Sequence, residues 1–379
     1  MDLRVFTFAS INIDEVYSVP HITRPGETIS STGRQLNAGG KGANASVAAA
    51  RAGAPVHITG LVGKDGVWVR EMLQQTGVKV EQVRVLDDVS TGRAIIQVDR
   101  SGENAIFLFP GANHRLTKAD AQRGFAHCTK GDWLMLTNET TAVAEAITHA
   151  HSLGMQVLWN PAPMDSQLMA AKELVDMVDV LVLNETELMT LAMQIQGVDG
   201  EKDGDQNHVG LARQILEQCQ ARAIIVTLGS KGSVGLVRRP RVNSHSIPVG
   251  SETASSSSVS SSSSSSVPSS ANDGGIVEIQ VPCAPVPKER IVDTTGAGDT
   301  WVGYFVTELA RTQSESPESI GSLATLTPAM VNLAMKFATY ASGLAVTRMG
   351  AIPSIPERAD VESFIKTQKL PAESAPVKQ

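Results

Sequence analysis

The chain has 379 residues, 42% hydrophobic and 4% aromatic, enough to bury a large core in one big α/β domain or two smaller ones. A formal net charge of -7 and a pI near 5.7 provide no basic face for a nucleic-acid backbone or an anionic membrane surface, so neither is expected as a partner. The three cysteines, Cys128, Cys219 and Cys283, are odd in number, far apart and without CxxC spacing; this gives no support to a disulfide framework or a zinc site and fits a reducing cytoplasm, with the nucleus also open to the chain.

The first residues, "MDLRVFTFASINIDEVYSVP", carry Asp2 and Arg4 within their only apolar run and do not read as a signal peptide. No later apolar run is long enough to span a bilayer. Short β-branched and apolar runs follow in order, "RVFTFASI", "VHITGLVG", "DWLMLT", "QVLWNPAP", "VDVLVLNE" and "RAIIVTLGS", alternating with longer segments of helical period. That alternation predicts a mostly parallel sheet with helices on both faces, a three-layer α/β/α sandwich. Two regions break the rhythm, residues 12–36 and 90–110, where strand-like alternation without a crossover helix predicts a small β-sheet that closes over a site as a lid. The serine-rich segment 251–275 cannot bury enough apolar surface to offset its ordering entropy and reads as a mobile insertion in a surface hairpin. The tail 370–379 reads as frayed, which leaves a single domain over 1–369.

Two glycine clusters stand out. "LNAGGKGAN" fails the phosphate-loop pattern GxxxxGK[ST], and "GAGDTW" fails the dinucleotide pattern GxGxxG because Trp301 stands where a small residue is needed. In "VDTTGAGDTWVGYFVTELAR", Trp301, Val302, Phe305, Val306 and Leu309 recur at helical spacing, which starts a helix near Gly296 or Ala297. Its first-turn N–H groups have no intrahelical acceptor and point at the preceding loop. Asp299 can then be a first-turn carboxylate that complements the helix dipole, or a general base beside N–H groups that cradle a phosphoryl group in transfer. The first reading accounts for Asp299 but not for the glycines. In "NAGGKGANASVAAARAGA" the alanines suit tight helix packing, whereas Asn37, Lys41 and Asn44 suit the hydroxyls of a sugar. Polar groups recur after strands in "INID", "TNET" and "NETE", where open α/β sheets bind ligands.

These motifs, taken in order with "STGRAII", "PGANHRL", "NPAP", "TLGSKG" and "AVTRMGAIPSIP", resemble the ribokinase branch of the ribokinase-like (PfkB) carbohydrate kinases, from about Leu3 to Ile365 apart from the serine-rich insertion. The resemblance implies ATP-dependent phosphorylation of D-ribose at O5, with Asp299 as base and the N–H groups of Gly296, Ala297 and Gly298 as anion hole. It implies sugar contacts from Asn12, Ile13, Asp14, Gly40, Lys41, Gly42, Ala43, Asn44 and Glu139. It places ATP against Asn184, Thr227, Leu228, Gly229, Ser230, Lys231, Gly232, Gly298, Asp299 and Thr339. Glu187 would organise water around Mg²⁺, and Asp293, Thr295, Ala345, Arg348, Gly350 and Ser354 would form a site for K⁺. A homodimer through the lid sheet is implied as well. A sibling kinase acting on another sugar or a nucleoside, and a binding protein that kept the fold without the chemistry, are the competing readings.

Overall fold

The computed structural model describes residues 4–164, 172–195, 207–239, 275–315 and 326–368. Most of the serine-rich segment, 251–274, and the tail 370–379 lie outside the described residues. Thirteen strands are described, in two sheets. In chain order they are β1 (Val5–Phe8), β2 (Asn12–Ser18), β3 (Gly33–Gly39), β4 (Val56–Gly63), β5 (Lys79–Leu86), β6 (Gly92–Val98), β7 (Asn104–Phe109), β8 (Trp133–Leu136), β9 (Gln156–Trp159), β10 (Val180–Asn184), β11 (Ala223–Thr227), β12 (Ser233–Arg238) and β13 (Ile276–Val281). The helices are α1 (Lys41–Arg51), α2 (Val67–Gln75), α3 (Lys118–Gly124), α4 (Val143–Ser152), α5 (Lys172–Val175), α6 (Glu185–Gln194), α7 (His208–Gln218), α8 (Ala297–Glu315), α9 (Pro328–Ala345) and α10 (Arg358–Thr367).

The large sheet runs β13-β12-β11-β10-β9-β8-β1-β4-β5. It is parallel from β11 to β5 and ends in the antiparallel pair β12–β13. Its central strands are apolar on both faces because both are covered. Along β8 the period-2 alternation is explicit: Trp133 and Met135 pack into the core under α1, α8 and α9, while Leu134 and Leu136 pack into the core under α3, α4 and α6. Truncating such a side chain, Leu134 to Ala for example, removes about 2–5 kcal/mol of stability.

The small sheet runs β3-β2-β6-β7, two hairpins joined by a parallel pairing of β2 with β6. It occupies the two regions that broke the sequence rhythm, and β3 reaches Gly39, past the expected limit of 36. Strand β2 follows β1 directly, and β3 leads into α1 through Gly40. Gly40 has φ 93, and an added Cβ would lie 2.8 Å from the Ser10 carbonyl oxygen, so only glycine turns the chain here from sheet to helix.

Helix α8 begins at Ala297, as the spacing predicted. Trp301 stacks on Phe305 with ring centroids 4.7 Å apart, and the fully buried Tyr304 donates its hydroxyl to the Pro356 carbonyl at 2.8 Å. Among the described residues no helix is long and apolar enough to cross a membrane.

Candidate active site

The loop after β1, the loop after β8 and the N-termini of α1 and α8 meet at the carboxyl ends of the central strands. Asp299, in the first turn of α8, is 7% exposed, and its Oδ2 accepts a hydrogen bond of 2.7 Å from Asn44 Nδ2 in the first turn of α1. Nothing in its own stretch of sequence balances the charge of Asp299; across the fold it meets the Asn44 amide and lies within electrostatic reach of Lys41. Asp299 is in turn the main reason that the Lys41 ammonium titrates above its usual range, with Glu139 and Glu187 adding to it against the effect of burial. Around the mouth of α8, Ala297 donates its N–H to the Thr294 carbonyl at 3.2 Å, so this member of the expected anion hole is engaged in a turn. The N–H of Gly298 belongs to the first helical turn, which has no intrahelical acceptor. No atom stands within 4 Å of where a Gly298 side chain would begin, so that face of the helix mouth is open.

Glu139 sits between the two helices. Its Oε2 accepts from the Ser10 hydroxyl at 2.6 Å and from the Lys41 N–H at 2.9 Å, so it caps α1 as well as facing the site. Burial holds its carboxyl above the usual range. Asp14 on β2 lies close enough to feel both acids, and burial together with Glu139 and Asp299 raises it from 3.8 to about 7. Asn12 Oδ1 accepts 2.7 Å from Asn113 Nδ2, and Asn113 Oδ1 accepts 2.9 Å from the Ile11 N–H. Ser10 and Asn113 were not singled out in the sequence, although both lie inside quoted stretches, "RVFTFASI" and "PGANHRL". They touch the site residues rather than an open face, and only the fold reveals that. Ile13 and Ala43 point into the apolar core, so any sugar contact from them is through the backbone. Gly42 donates its N–H to the Ser10 hydroxyl at 3.1 Å.

Of the ten buried side-chain polar atoms without a partner among the described residues, five belong to these segments: Asn44 Oδ1, Thr300 Oγ1 next to Asp299 in sequence, and Thr137 Oγ1, Asn138 Nδ2 and Thr140 Oγ1 on either side of Glu139 in sequence. Buried polar groups are nearly always paired, so these unpaired atoms set the site segments apart from the ordinary interior.

Along the sheet, Asn184 and Thr227 end adjacent strands and pair in register. Asn184 and Glu187 form a reciprocal capping box at the start of α6, the Asn184 N–H bonding Glu187 Oε2 at 2.9 Å and the Glu187 N–H bonding Asn184 Oδ1 at 2.8 Å. Burial raises the Glu187 carboxyl, and Lys41 acts against that. The turn Leu228, Gly229, Ser230, Lys231 and Gly232 follows β11; Lys231 reaches back to Glu185 with Nζ–Oε1 3.8 Å. Beside this turn lies a cleft of about 360 Å³ whose walls include Leu228, Lys231, Ser233 and Gln280. Thr339 on α9 is buried and accepts from the Trp301 indole at 3.2 Å, so its hydroxyl supports α8 from behind.

Behind the mouth of α8, both oxygens of Asp293 accept backbone N–H groups, from Thr295 at 2.9 Å and from Gly350 at 2.8 Å. Burial opposes ionisation of this carboxyl, but the bonds from Thr295 and Gly350 hold it below the usual range. Ala345 accepts the Arg348 N–H at 3.0 Å, the Arg348 guanidinium turns out to Asp360, and the fully buried Ser354 donates to the Ala351 carbonyl at 2.7 Å. The loops 292–296 and 345–354 are thereby tied together directly behind the residues of the expected anion hole. Among the described residues no cluster of three or more His, Cys, Asp or Glu side chains forms a metal site.

Comparison with known proteins gives a consistent answer. A family model described as "pfkB family carbohydrate kinase" matches residues 2–250 and 274–358, interrupted only across the serine-rich stretch. A ribokinase of Haemophilus influenzae is 30% identical over 361 residues, covering 94% of this chain and 96% of the relative. A ribokinase of Schizosaccharomyces pombe is 28% identical, covering 97% and 99%. The crystal structure of a ribokinase from Cryptococcus neoformans in complex with ADP superposes with a TM-score of 0.67 at 31% identity, covering 95% of this chain and 99% of that one. The ribokinase-like α/β architecture, with its large mostly parallel sheet and second smaller sheet, is the one those relatives share, and the chain belongs to the pfkB family of carbohydrate kinases.

Proposed function

We propose that the protein transfers the γ-phosphoryl group of ATP to O5 of D-ribose, giving D-ribose 5-phosphate and ADP. The observation that carries this reading is Asp299, held by Asn44 at the open mouth of α8 and sharing its surroundings with Asp14, Glu139 and Lys41. Relatives at about 30% identity over the full chain are ribokinases, and one of them was crystallised with ADP. Asp14 and Glu139 accept from sugar hydroxyls, and Asn12 and Asn44 accept from or donate to them. Asp299 takes the proton from the O5 hydroxyl as that oxygen bonds to the γ-phosphorus, the bond from phosphorus to the β,γ-bridging oxygen breaks, and ADP leaves. The N–H groups of Gly296, Ala297 and Gly298 receive the charge on the transferring group, each contributing about 3 kcal/mol to the transition state. Ala297 must release Thr294 to take part. The small sheet acts as a lid that excludes water.

The stretch Thr227 to Gly232 and Asn184 line the nucleotide, with Thr339 behind the catalytic helix. Glu187 would hold the water around Mg²⁺, a cation that keeps most of its hydration and needs few protein ligands and that would neutralise the phosphate charge. Potassium fits behind the anion hole. Because the Asp293 carboxylate already accepts the Thr295 and Gly350 N–H groups, backbone carbonyls of the two tied loops would hold such a cation, whose charge would stiffen the loop without touching substrate. A homodimer forms through the apolar edge of the small sheet, and the three free thiols suit a cytoplasmic location, which cell fractionation tests.

The test is coupled ADP release from the full chain on ribose, deoxyribose, fructose and adenosine, in potassium and in a large organic cation. Preference for ribose with potassium stimulation is expected. Preference for another acceptor makes it a sibling kinase, equal rates in both cations remove the potassium site, and calorimetric ribose binding without ADP release makes it a binding protein.

A further inference from the structure

One chain of charges runs along the face of the small sheet turned away from the site. Asp65 lies in the turn after β4, in the body of the molecule. Its Oδ1 accepts the backbone N–H of Thr91 at 2.9 Å and the Thr91 hydroxyl at 2.8 Å, where the chain passes from the body into β6. Its Oδ2 accepts Arg93 Nη2 at 2.7 Å. The other arm of the Arg93 fork, Nη1, bonds Glu15 on β2. Glu15 is 8% exposed and also accepts Arg34 Nη2 at 2.9 Å and the Tyr17 hydroxyl at 2.8 Å.

Side chains alternate along a strand, so Asp14 and Glu15 point to opposite faces of β2. Asp14 faces Glu139 and Asp299. Register pairs Ile13 with Arg93 and Tyr17 with Arg34, which puts Arg93, Glu15 and Arg34 together on the outer face. None of them faces the substrate. A guanidinium can span two carboxylates at once because its donors form a rigid fork; an ammonium is a single point of charge. Arg93 therefore binds the strand that carries Asp14 to a fixed point in the turn after β4 of the large sheet.

We infer that Arg93 is a positioning residue for sugar binding: through Glu15 on one side and Asp65 on the other, it sets the distance of β2, and so of Asp14, from the rest of the sugar site. The inference rests on the sugar-kinase reading above. Glu15 and the Oδ2 of Asp65 act on Asp14 through it, while Asp65 Oδ1, which Asn at that position keeps as an acceptor, separately holds Thr91, and the nucleotide side of the site is indifferent to it.

The experiment is steady-state kinetics on the full chain with ribose and ATP varied separately, for wild type, Arg93→Ala, Arg93→Lys, Asp65→Asn and the Asp65→Asn/Arg93→Ala pair. Losing one charge-assisted bond of this kind raises the KM for ribose about ten-fold in Arg93→Ala, while kcat, the KM for ATP and Tm stay within about two-fold or two degrees of wild type. Arg93→Lys, which keeps the charge but not the span, falls between, and the double variant is no worse than Arg93→Ala. An unchanged ribose KM overturns the inference. So does a joint change of kcat and both KM values with a lowered Tm, or additivity of the two substitutions. A wild-type chain that phosphorylates no sugar refutes the kinase reading instead. The latch is then read from hydrogen exchange: faster exchange in β2 and β6 of Arg93→Ala, with β1 and β8 unchanged, supports it, and identical exchange overturns it.

Discussion

Replacing Asp14 with Asn should make the ligand-free protein more stable and a worse sugar binder. The carboxyl of Asp14 is buried between Glu139 and Asp299, which lifts it from 3.8 to about 7. A folded state that holds a proton more tightly than the unfolded chain loses stability as pH rises through that interval. Below about pH 4 both states keep the proton and nothing is lost; above about pH 7 both have released it and the full penalty applies. At about 1.4 kcal/mol per pH unit, the penalty reaches about 4 kcal/mol. Asn has nearly the same size and no proton to release, so it escapes the penalty. Differential scanning calorimetry of the ligand-free chains should show the variant melting about 5 °C above wild type at pH 8, with an offset at pH 5 of about a third of that. Calorimetric titration should show ribose affinity lowered about ten-fold or more, because a charge-assisted bond to a hydroxyl has become a neutral one. Equal melting temperatures at pH 8, or an offset that does not change between pH 5 and 8, would refute the argument that three acids crowd one site.

Two further outcomes test other parts of the molecule. Asp299→Asn should leave ribose binding by calorimetry nearly intact while lowering kcat by about two or more orders of magnitude, and a variant that keeps most of its turnover removes Asp299 from the chemistry. Ile106, Phe107, Leu108 and Phe109 on the edge strand β7 are 52%, 59%, 44% and 47% exposed, an apolar edge on which the proposed dimer depends. Phe107→Lys should therefore turn a dimer into a monomer in sedimentation velocity, and a wild-type chain that already sediments as a monomer at micromolar concentration would sink the dimer.

The elements that were legible in the sequence are those whose environment is uniform along them. Strands β1, β4, β8, β9, β10 and β11 are sandwiched between helices, so continuous apolar runs betray them. Helix α8 announces itself by its spacing and its glycines. Strand β5, at the sheet edge, alternates exposed and buried residues with charges among them, and its run "KVEQVRVL" carries too little apolar signal to be read. The antiparallel pair β12 and β13 flanks the serine-rich stretch where the sequence placed a surface hairpin, although neither strand was among the apolar runs read. In the site, the residue types were readable because glycine, Asp and Asn cluster at helix mouths. Their partners were not: Asn44 meets Asp299 across 255 residues of chain, and Asn113 meets Asn12 across 101. The capping box of Asn184 and Glu187 is local, and its spacing is visible in "NETE", yet a cap and a ligand contact have the same sequence signature. Arg93, Glu15 and Asp65 look like ordinary surface charges until register brings them together.

The approach of α8 to α1 has a consequence for synthesis. A Cβ on Gly303 would fall 2.4 Å from the Ala45 carbonyl oxygen, and Thr307 donates to the Ala49 carbonyl at 3.2 Å, so the two helices that supply Asn44 and Asp299 lie backbone against backbone. One of them leaves the ribosome early and the other some 250 residues later. A nascent chain lacks the acid–amide pair until α8 has emerged, so the bond between Asn44 and Asp299 forms in a late docking of one helix on another made long before.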